Sequence, residues 1–356
     1  MKRTLRRSAL GLAIALGLAS TSASSQQSAA PVLSPEVARQ YVQPHERIDI
    51  GGGRRLNLFC MGSGKQTVLF DSGGSDWSVI WALVQPALAA DARVCTYDRA
   101  GLGYSDPAPG ARSPMAIADD MHALVKAASL KTPLVLVGHS LGGFNVKLYT
   151  ALYPEDVAGL VLVDPSEERS DQRSARLVAK RLGEPGAARK EVTDLMWLGR
   201  LLDRYRTCQD LARSGNLDPA TIEYRRCSDP VRAPLGPEIA AERQKIQVTA
   251  AYQQAQASEI LNSVYGDTRP DSAYARLFRP GLFGDRPTIV LTHGLYDPSD
   301  PIDAADYEAT LALHQESAAL SRRGRHRVIP DTSHNIEIDK PQAIVDAVRE
   351  VLRNIK

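Results

Sequence analysis

The chain is poor in several things at once. Aromatic residues make up 6% of its 356 positions, and it has only four cysteines. No cysteine stands at metal-ligand spacing from a histidine, which removes the usual structural zinc patterns. No internal repeat occurs, and low complexity is confined to a short Ala/Ser/Gln stretch near the start, so repeat and collagen-like architectures are excluded. Excess charge is missing too. Lys and Arg number 43 and Asp and Glu 41. No acid precedes Glu36, whereas Lys2, Arg3, Arg6 and Arg7 are basic; without those four, 39 basic residues face 41 acidic ones. A balance so close to neutral makes no electrostatic case for nucleic acid or an anionic membrane surface. With 43% hydrophobic and 24% charged residues, what remains is an ordinary globular composition, with ample length to bury a core.

The basic start leads into an apolar run, Ala9–Ala19, and then into small residues that include Thr21 and Ala23. The run is shorter than the roughly 20 residues of a membrane-crossing helix. Basic, apolar and small-residue segments in that order read as a secretory signal over residues 1–23, cleaved after about Ala23. Residues 24–44 then read as a linker. The expectation is an exported protein, periplasmic or secreted, with no stable membrane anchor after cleavage. Disulfides persist in such compartments. Cys208 and Cys227, which flank a polar loop, are natural partners for one; four free buried thiols are the alternative.

Apolar, β-rich segments alternate with helical ones. Strands are expected at Arg55–Met61, Thr67–Phe70, Arg93–Tyr97, Leu134–Val137, Gly159–Val163, Thr288–Leu291 and His326–Ile329. A helix is expected through Trp77–Ala89. A second begins at Ser113-Pro114, with Ser as N-cap and Pro at the first position, and carries a stripe of Met115, Ala118, Met121, Leu124 and Val125. A closing helix after Pro341 puts Ile344, Val345, Val348, Val351 and Leu352 on one face. This alternation implies an α/β fold with a mostly parallel sheet. Between Ser166 and Asp285 the chain is polar and helical without a buried-strand run, which reads as a helical cap. The division is therefore a core over 45–165 and 286–356, with the cap at 166–285.

Gly138-His139-Ser140-Leu141-Gly142 follows one buried strand directly and opens helical sequence. Strand, G-x-S-x-G, helix is the context of a nucleophile elbow, a turn so tight that its flanks must be small. The five-residue pattern alone would arise by chance in about one chain in seven of this composition, so its placement carries the inference. A serine hydroxyl needs a base. His334, in Pro330-Asp331-Thr332-Ser333-His334-Asn335, follows the last strand and falls on the same sheet edge. His45, His122, His314 and His326 read as solvated or structural, and the side chain of His139 should leave the turn in another direction. A carboxylate must orient the base. Asp297, in the loop after Thr288–Leu291, gives the chain order Ser, Asp, His; Asp164, ending Gly159–Val163, is its rival, and Asp300 and Asp303 read as turn or cap residues. Two backbone N–H groups should receive an oxyanion. These are Leu141 after the nucleophile and Gly74, with Gly73 next, in Asp71-Ser72-Gly73-Gly74-Ser75-Asp76-Trp77.

These motifs, with Tyr97-Asp98-Arg99-Ala100-Gly101-Leu102-Gly103-Tyr104-Ser105, resemble the α/β-hydrolase fold, and in particular its capped bacterial branch of small carboxylesterases and proline iminopeptidases. The resemblance runs from about Ile48 to the end, most of the cap excepted. It implies an eight-stranded, mostly parallel sheet flanked by helices, with the cap between strands 6 and 7. It sets the strand of Cys60 beside that of Cys95, hence a second disulfide, Cys60–Cys95, and makes the Tyr97–Ser105 segment a structural loop without chemistry of its own. Where the family commonly has His-Gly at the oxyanion loop, this chain has Ser72-Gly73. The activity implied is hydrolysis of a small-molecule carboxylic ester through an acyl-enzyme, with no cofactor or metal. Ser at the elbow, where haloalkane dehalogenases and epoxide hydrolases need a carboxylate, argues against those chemistries. An aminopeptidase of the proline iminopeptidase type, a lactone or thioester hydrolase, and a non-catalytic binding protein are the competing readings. Trp77 and Trp81, or the cap aromatics Trp197, Tyr205, Tyr252 and Tyr265, are candidates to line the substrate pocket.

Overall fold

The computed structural model describes residues 32–168, 170–228 and 232–355. The expected signal segment lies outside them. Eight strands form one sheet: β1 (Glu46–Asp49), β2 (Arg55–Met61), β3 (Thr67–Asp71), β4 (Arg93–Tyr97), β5 (Leu134–His139), β6 (Val157–Val163), β7 (Thr288–His293) and β8 (Gly324–Ile329). Their spatial order is β1-β2-β4-β3-β5-β6-β7-β8. β1 and β2 pair antiparallel, as do β2 and β4, and every other neighbour is parallel. The unanticipated strand is β1, a four-residue polar edge with no apolar alternation to announce it.

Among the described residues, twelve α-helical segments accompany the sheet, the longest of them kinked at Gly183. In the core these are α1 (Pro35–Tyr41), α2 (Gln85–Leu88), α3 (Pro114–Ala127) and α4 (Leu141–Leu152) before the cap. The cap holds α5 (Ser170–Arg213), α6 (Ile222–Cys227), α7 (Gly236–Gln247), α8 (Ala250–Asn262) and α9 (Asp271–Leu277); after it come α10 (Pro301–Ala318), α11 (Ile336–Asp339) and α12 (Pro341–Asn354). The cap interrupts the chain between β6 and β7, as expected. Two expectations are corrected. The stretch read as a linker contains α1, whose Tyr41 is buried and donates its hydroxyl to Gln85 at 2.7 Å. The helix expected over Trp77–Ala89 is instead a 3-10 turn at Ser78–Trp81 followed by the single turn α2, because Pro86 has no N–H to carry the helical ladder back to Ala82 and sits instead in the first turn of α2.

Strand alternation sends successive side chains to opposite faces, and the central strands fill a core on each. Val135, Val137, Val161, Val163, Ile289 and Leu291 meet Ile344, Val345, Val348 and Val351 of α12 on one side. Leu134, Leu136, Leu160, Leu162 and Val290 meet Met121, Leu124 and Val125 of α3 on the other. In α3 the Ser113 hydroxyl accepts from the Ala116 N–H; Met115, expected in its stripe, is exposed, and Ile117 is buried in its place. Cys60 and Cys95 stand opposite one another on β2 and β4 and are bridged, and Cys208 is bridged to Cys227 in the cap.

Candidate active site

The elbow forms because two glycines permit close approach. A Cβ on Gly138 would lie 2.3 Å from the Gly142 carbonyl oxygen, and one on Gly142 would lie 2.4 Å from that of Asp71. Ser140, between them, takes φ 51° and ψ −120°, a conformation costly for a residue with a side chain,. Its backbone is latched to the far end of β6. The Ser140 N–H donates to Val163 O at 3.0 Å, and the Ser166 N–H donates to Ser140 O at 2.9 Å. The hydroxyl of Tyr265, from the cap, bonds Ser166 Oγ at 2.5 Å and also interacts with the Ser140 side chain.

Asp164 continues β6 and also has positive φ, 44°. Its carboxylate lies 2.5 Å from His334 Nδ1. His293, the last residue of β7, approaches the same carboxylate with Nδ1 at 2.8 and 2.9 Å and donates its backbone N–H at 3.1 Å. A carboxylate only accepts, so both Nδ1 atoms carry their protons and Nε2 of His334 is left as the acceptor. Burial pushes the Asp164 carboxyl up, but the bonds from His293 and His334 outweigh it and hold it well below the usual carboxylate range. His293 moves the opposite way: burial would lower it, and the Asp164 hydrogen bond raises it.

Asp297, the residue favoured from the sequence, is not brought to His334. Gly294 and Leu295 donate to Thr332 O, and the chain then turns outward through exposed Leu295 and Tyr296. The Asp297 carboxylate accepts from the Ser299 N–H at 2.9 Å and from its hydroxyl at 2.6 Å, an Asx turn that leads into α10,. The rival Asp164 occupies the place instead, because β6 neighbours β5 and ends directly beside the elbow. Asp300 is the N-cap of α10, as expected.

His139 does leave the turn in another direction. Its Nε2–H donates to the backbone carbonyl of His334 at 2.9 Å, steadying that loop, and burial lowers its pKa to about 3. Ser333 adds two bonds of 2.7 Å to Asp339.

Leu141 opens α4, and the Gly73-Gly74 loop faces it: a Cβ on Gly73 would lie 3.4 Å from Ser140 Cβ, and one on Gly74 3.8 Å from the Leu141 side chain. Among the described residues, neither glycine N–H has a protein acceptor. Arg99 explains how the loop is held, a role that sequence reasoning missed by treating its segment as plain structure. Its guanidinium donates to Ser72 O at 2.6 Å and Gly73 O at 2.7 Å, to Asp71 at 2.7 Å, and to both oxygens of Glu259 on α8 at 2.6 and 2.8 Å. Carbonyls fixed on the Arg99 side constrain how the following N–H groups can point. The available signal was an arginine in a loop next to the buried strand β4.

A cavity of about 670 Å³ opens between α5, α10 and the ends of β6 and β7. Asp164, His293, His334 and Tyr265 form its polar floor, and Leu195, Trp197, Leu198, Val264 and Leu313 supply apolar walls. Of the aromatic candidates, Trp197 and Tyr265 line it. Tyr205 is buried in cap packing, Tyr252 packs from the cap against Trp77, and Trp77 and Trp81 lie in the core; Trp81 donates its indole N–H to Ser72 Oγ at 3.0 Å.

The family model of the α/β hydrolase fold matches residues 66–341. The chain belongs to the α/β hydrolase family. Its closely superimposing structures include a putative lipase from Acinetobacter baumannii, 20% identical, with a TM-score of 0.61 over 89% of this chain and 93% of that one. An esterase from Thermogutta terrifontis is 22% identical, with a TM-score of 0.54 over 87% of this chain and 98% of that one. Among curated proteins, the probable transporter efuK of Hormonema carpetanum is 37% identical over 131 residues. That match spans 34% of this hydrolase-family chain and only 18% of its relative. Among the described residues no helix is long and apolar enough to cross a membrane.

Proposed function

We propose that this α/β hydrolase is an exported serine hydrolase that cleaves small carboxylic esters. The observation that carries the proposal is His334 Nδ1 held by Asp164 at 2.5 Å, both residues lining a cavity whose Tyr265 also interacts with the Ser140 side chain. Ser140 Oγ attacks the ester carbonyl while Nε2 of His334 takes its proton, and Asp164 stabilises the imidazolium. The N–H groups of Leu141 and Gly74 hold the tetrahedral oxyanion. His334 then gives its proton to the leaving alcohol, and water repeats the sequence on the acyl-enzyme to release the acid.

The apolar walls favour an uncharged acyl or alkyl group. Two of the acids on the cavity wall, Asp194 and Asp306, are taken up by Lys190 at 2.6 and 3.1 Å, which weighs against a site for a free α-amine and therefore against aminopeptidase activity. The names borne by the lipase and esterase neighbours agree with an ester substrate, and the two disulfides agree with an oxidising compartment. Turnover of a chromogenic panel of short and long acyl esters and aminoacyl anilides, by the wild type and by Ser140→Ala, tests the reading. Ester turnover abolished in the variant is expected. Activity that survives Ser140→Ala, or turnover of anilides alone, would overturn it.

A further inference from the structure

Resting on that reading of the site, we propose that His293 is a positioning residue for the reaction: it holds Asp164 jointly with His334 and limits how strongly the carboxylate can draw on the catalytic imidazole. The geometry is that of one carboxylate with two histidines. His293 contributes three contacts of 2.8, 2.9 and 3.1 Å through Nδ1 and its backbone N–H, and His334 contributes one of 2.5 Å. A carboxylate oxygen shared among donors is a weaker base toward each of them.

His293 is itself fixed. Its backbone carbonyl accepts from the Tyr307 hydroxyl at 2.8 Å, and its ring packs 5.5 Å from that of Tyr307. The charged and titratable groups around the pair come from each neighbouring element. Asp164 lies at the end of β6, Asp303 and Tyr307 on α10, and His334 in the loop after β8. His314 of α10 faces Asp164 at 3.9 Å, with its own Nδ1 bonded to Thr292 Oγ1 at 2.6 Å, and His326 of β8, 2.7 Å from the same hydroxyl, also feels the Asp164 charge. Losing the His293 Nδ1–H, with the backbone N–H of that position still bonded, leaves more of the carboxylate charge to His334, which stabilises the imidazolium and raises the pH at which the base becomes free,. If His293 carries charge, its removal acts in the same direction.

The test is the pH profile of kcat and KM for His293→Phe, which keeps the backbone N–H and a ring beside Tyr307 but no side-chain donor, and for His293→Asn, which restores a side-chain N–H. In the Phe variant kcat should fall roughly tenfold, because an Asp164 carboxylate no longer pinned by the His293 ring orients His334 less well toward Ser140. KM should stay within about twofold and the acid limb should move up by about half a unit or more, and Asn should recover both. A Phe variant with the wild-type limb and kcat, or an Asn variant as impaired as Phe, overturns the proposal. Should the Phe variant fail to fold, ¹⁵N histidine NMR of the wild type decides. Protonation of His293 on Nδ1 throughout the titration of His334 supports the proposal, and the Nε2–H tautomer overturns it. Ser140→Ala measured alongside separates the failures. Survival of its activity refutes the reading of the site, whereas an inactive Ser140→Ala with unchanged His293 variants refutes this inference alone.

Discussion

The cap is joined to the core in two different ways. On the α8 side the attachment is charged and buried. Glu259 meets Arg99 beneath the oxyanion loop, Arg232 and Arg243 meet Asp76 at 2.9 and 2.6 Å, and the Tyr252 hydroxyl donates to Ser75 O at 3.0 Å. On the α5 side the attachment to α10 is extensive, but its ion pairs reach solvent. Arg181 pairs with Glu308 in solvent, Lys190 with Asp306, and Val178 packs on Ala305. Val192, Leu195, Met196 and Trp197 of α5 are each more than half exposed. On the proposed reading, the first attachment shapes the backbone donors of the oxyanion hole, and the second frames the cavity for the substrate. Removing one partner from a buried pair strands a charge out of water, whereas an exposed pair contributes little. On that reading, catalytic geometry and substrate fit are held by different halves of one cap.

Several substitutions would break or sharpen that contrast. The largest effect on stability is expected from Glu259→Leu, which leaves the Arg99 guanidinium buried with Asp71 as its remaining carboxylate. Urea unfolding should show a loss of about 3–5 kcal/mol, with turnover falling in the fraction that stays folded because the Ser72-Gly73-Gly74 loop loses its brace. A stability change under about 1 kcal/mol would mean that the brace is dispensable.

Acid should act on the two sides at different pH. Burial lowers the pKa of His314, beside Asp164, to about 4, against about 6.5 in the unfolded chain. Its contribution is therefore complete above pH 6.5 and is lost as pH falls through 4, a change of a few kcal/mol. His314→Gln should flatten the stability profile over that window in denaturant titrations. Asp76, held below its ordinary value by Arg232 and Arg243 against the opposing push of burial, should yield only at lower pH.

Trp197→Ala, on the α5 side, should change KM and the preferred acyl length several-fold while leaving the melting temperature nearly unmoved. Smallest of all, Arg181→Ala should alter stability by less than about 1 kcal/mol. A thermal melt that showed the α5 substitutions to be as damaging as Glu259→Leu would erase the distinction between the two attachments.

Much of this arrangement was legible in the residues, and the exceptions have physical causes. Gly138 and Gly142 announced the elbow because no other residue fits those approaches. The apolar runs of β5, β6 and β7 announced the sheet because both of its faces are covered. Polar β1 and the turn broken at Pro86 carried no such periodicity. The acid was harder. Asp164 and Asp297 both follow strands whose carboxyl ends share one edge, and spacing along the chain does not say which loop turns inward. Asp297-Pro298-Ser299-Asp300-Pro301 is rich in turn and helix-start residues, a signal that its carboxylate serves the backbone. The brace of Arg99 was signalled only by an arginine beside a buried strand, and its partner could not be read because Glu259 is 160 residues away.

The central claim is that the hydrolase works through Ser140 and His334 with Asp164, and not Asp297, as the orienting acid. The most direct measurement is kcat/KM on a chromogenic ester for Asp164→Asn and Asp297→Asn side by side, with folding checked by circular dichroism. Asp164→Asn should lose about 10³–10⁴-fold, the scale seen when an orienting carboxylate becomes an amide, while Asp297→Asn should remain within about twofold of the wild type. The reverse pattern, with Asp297→Asn crippled and Asp164→Asn active, would contradict the account.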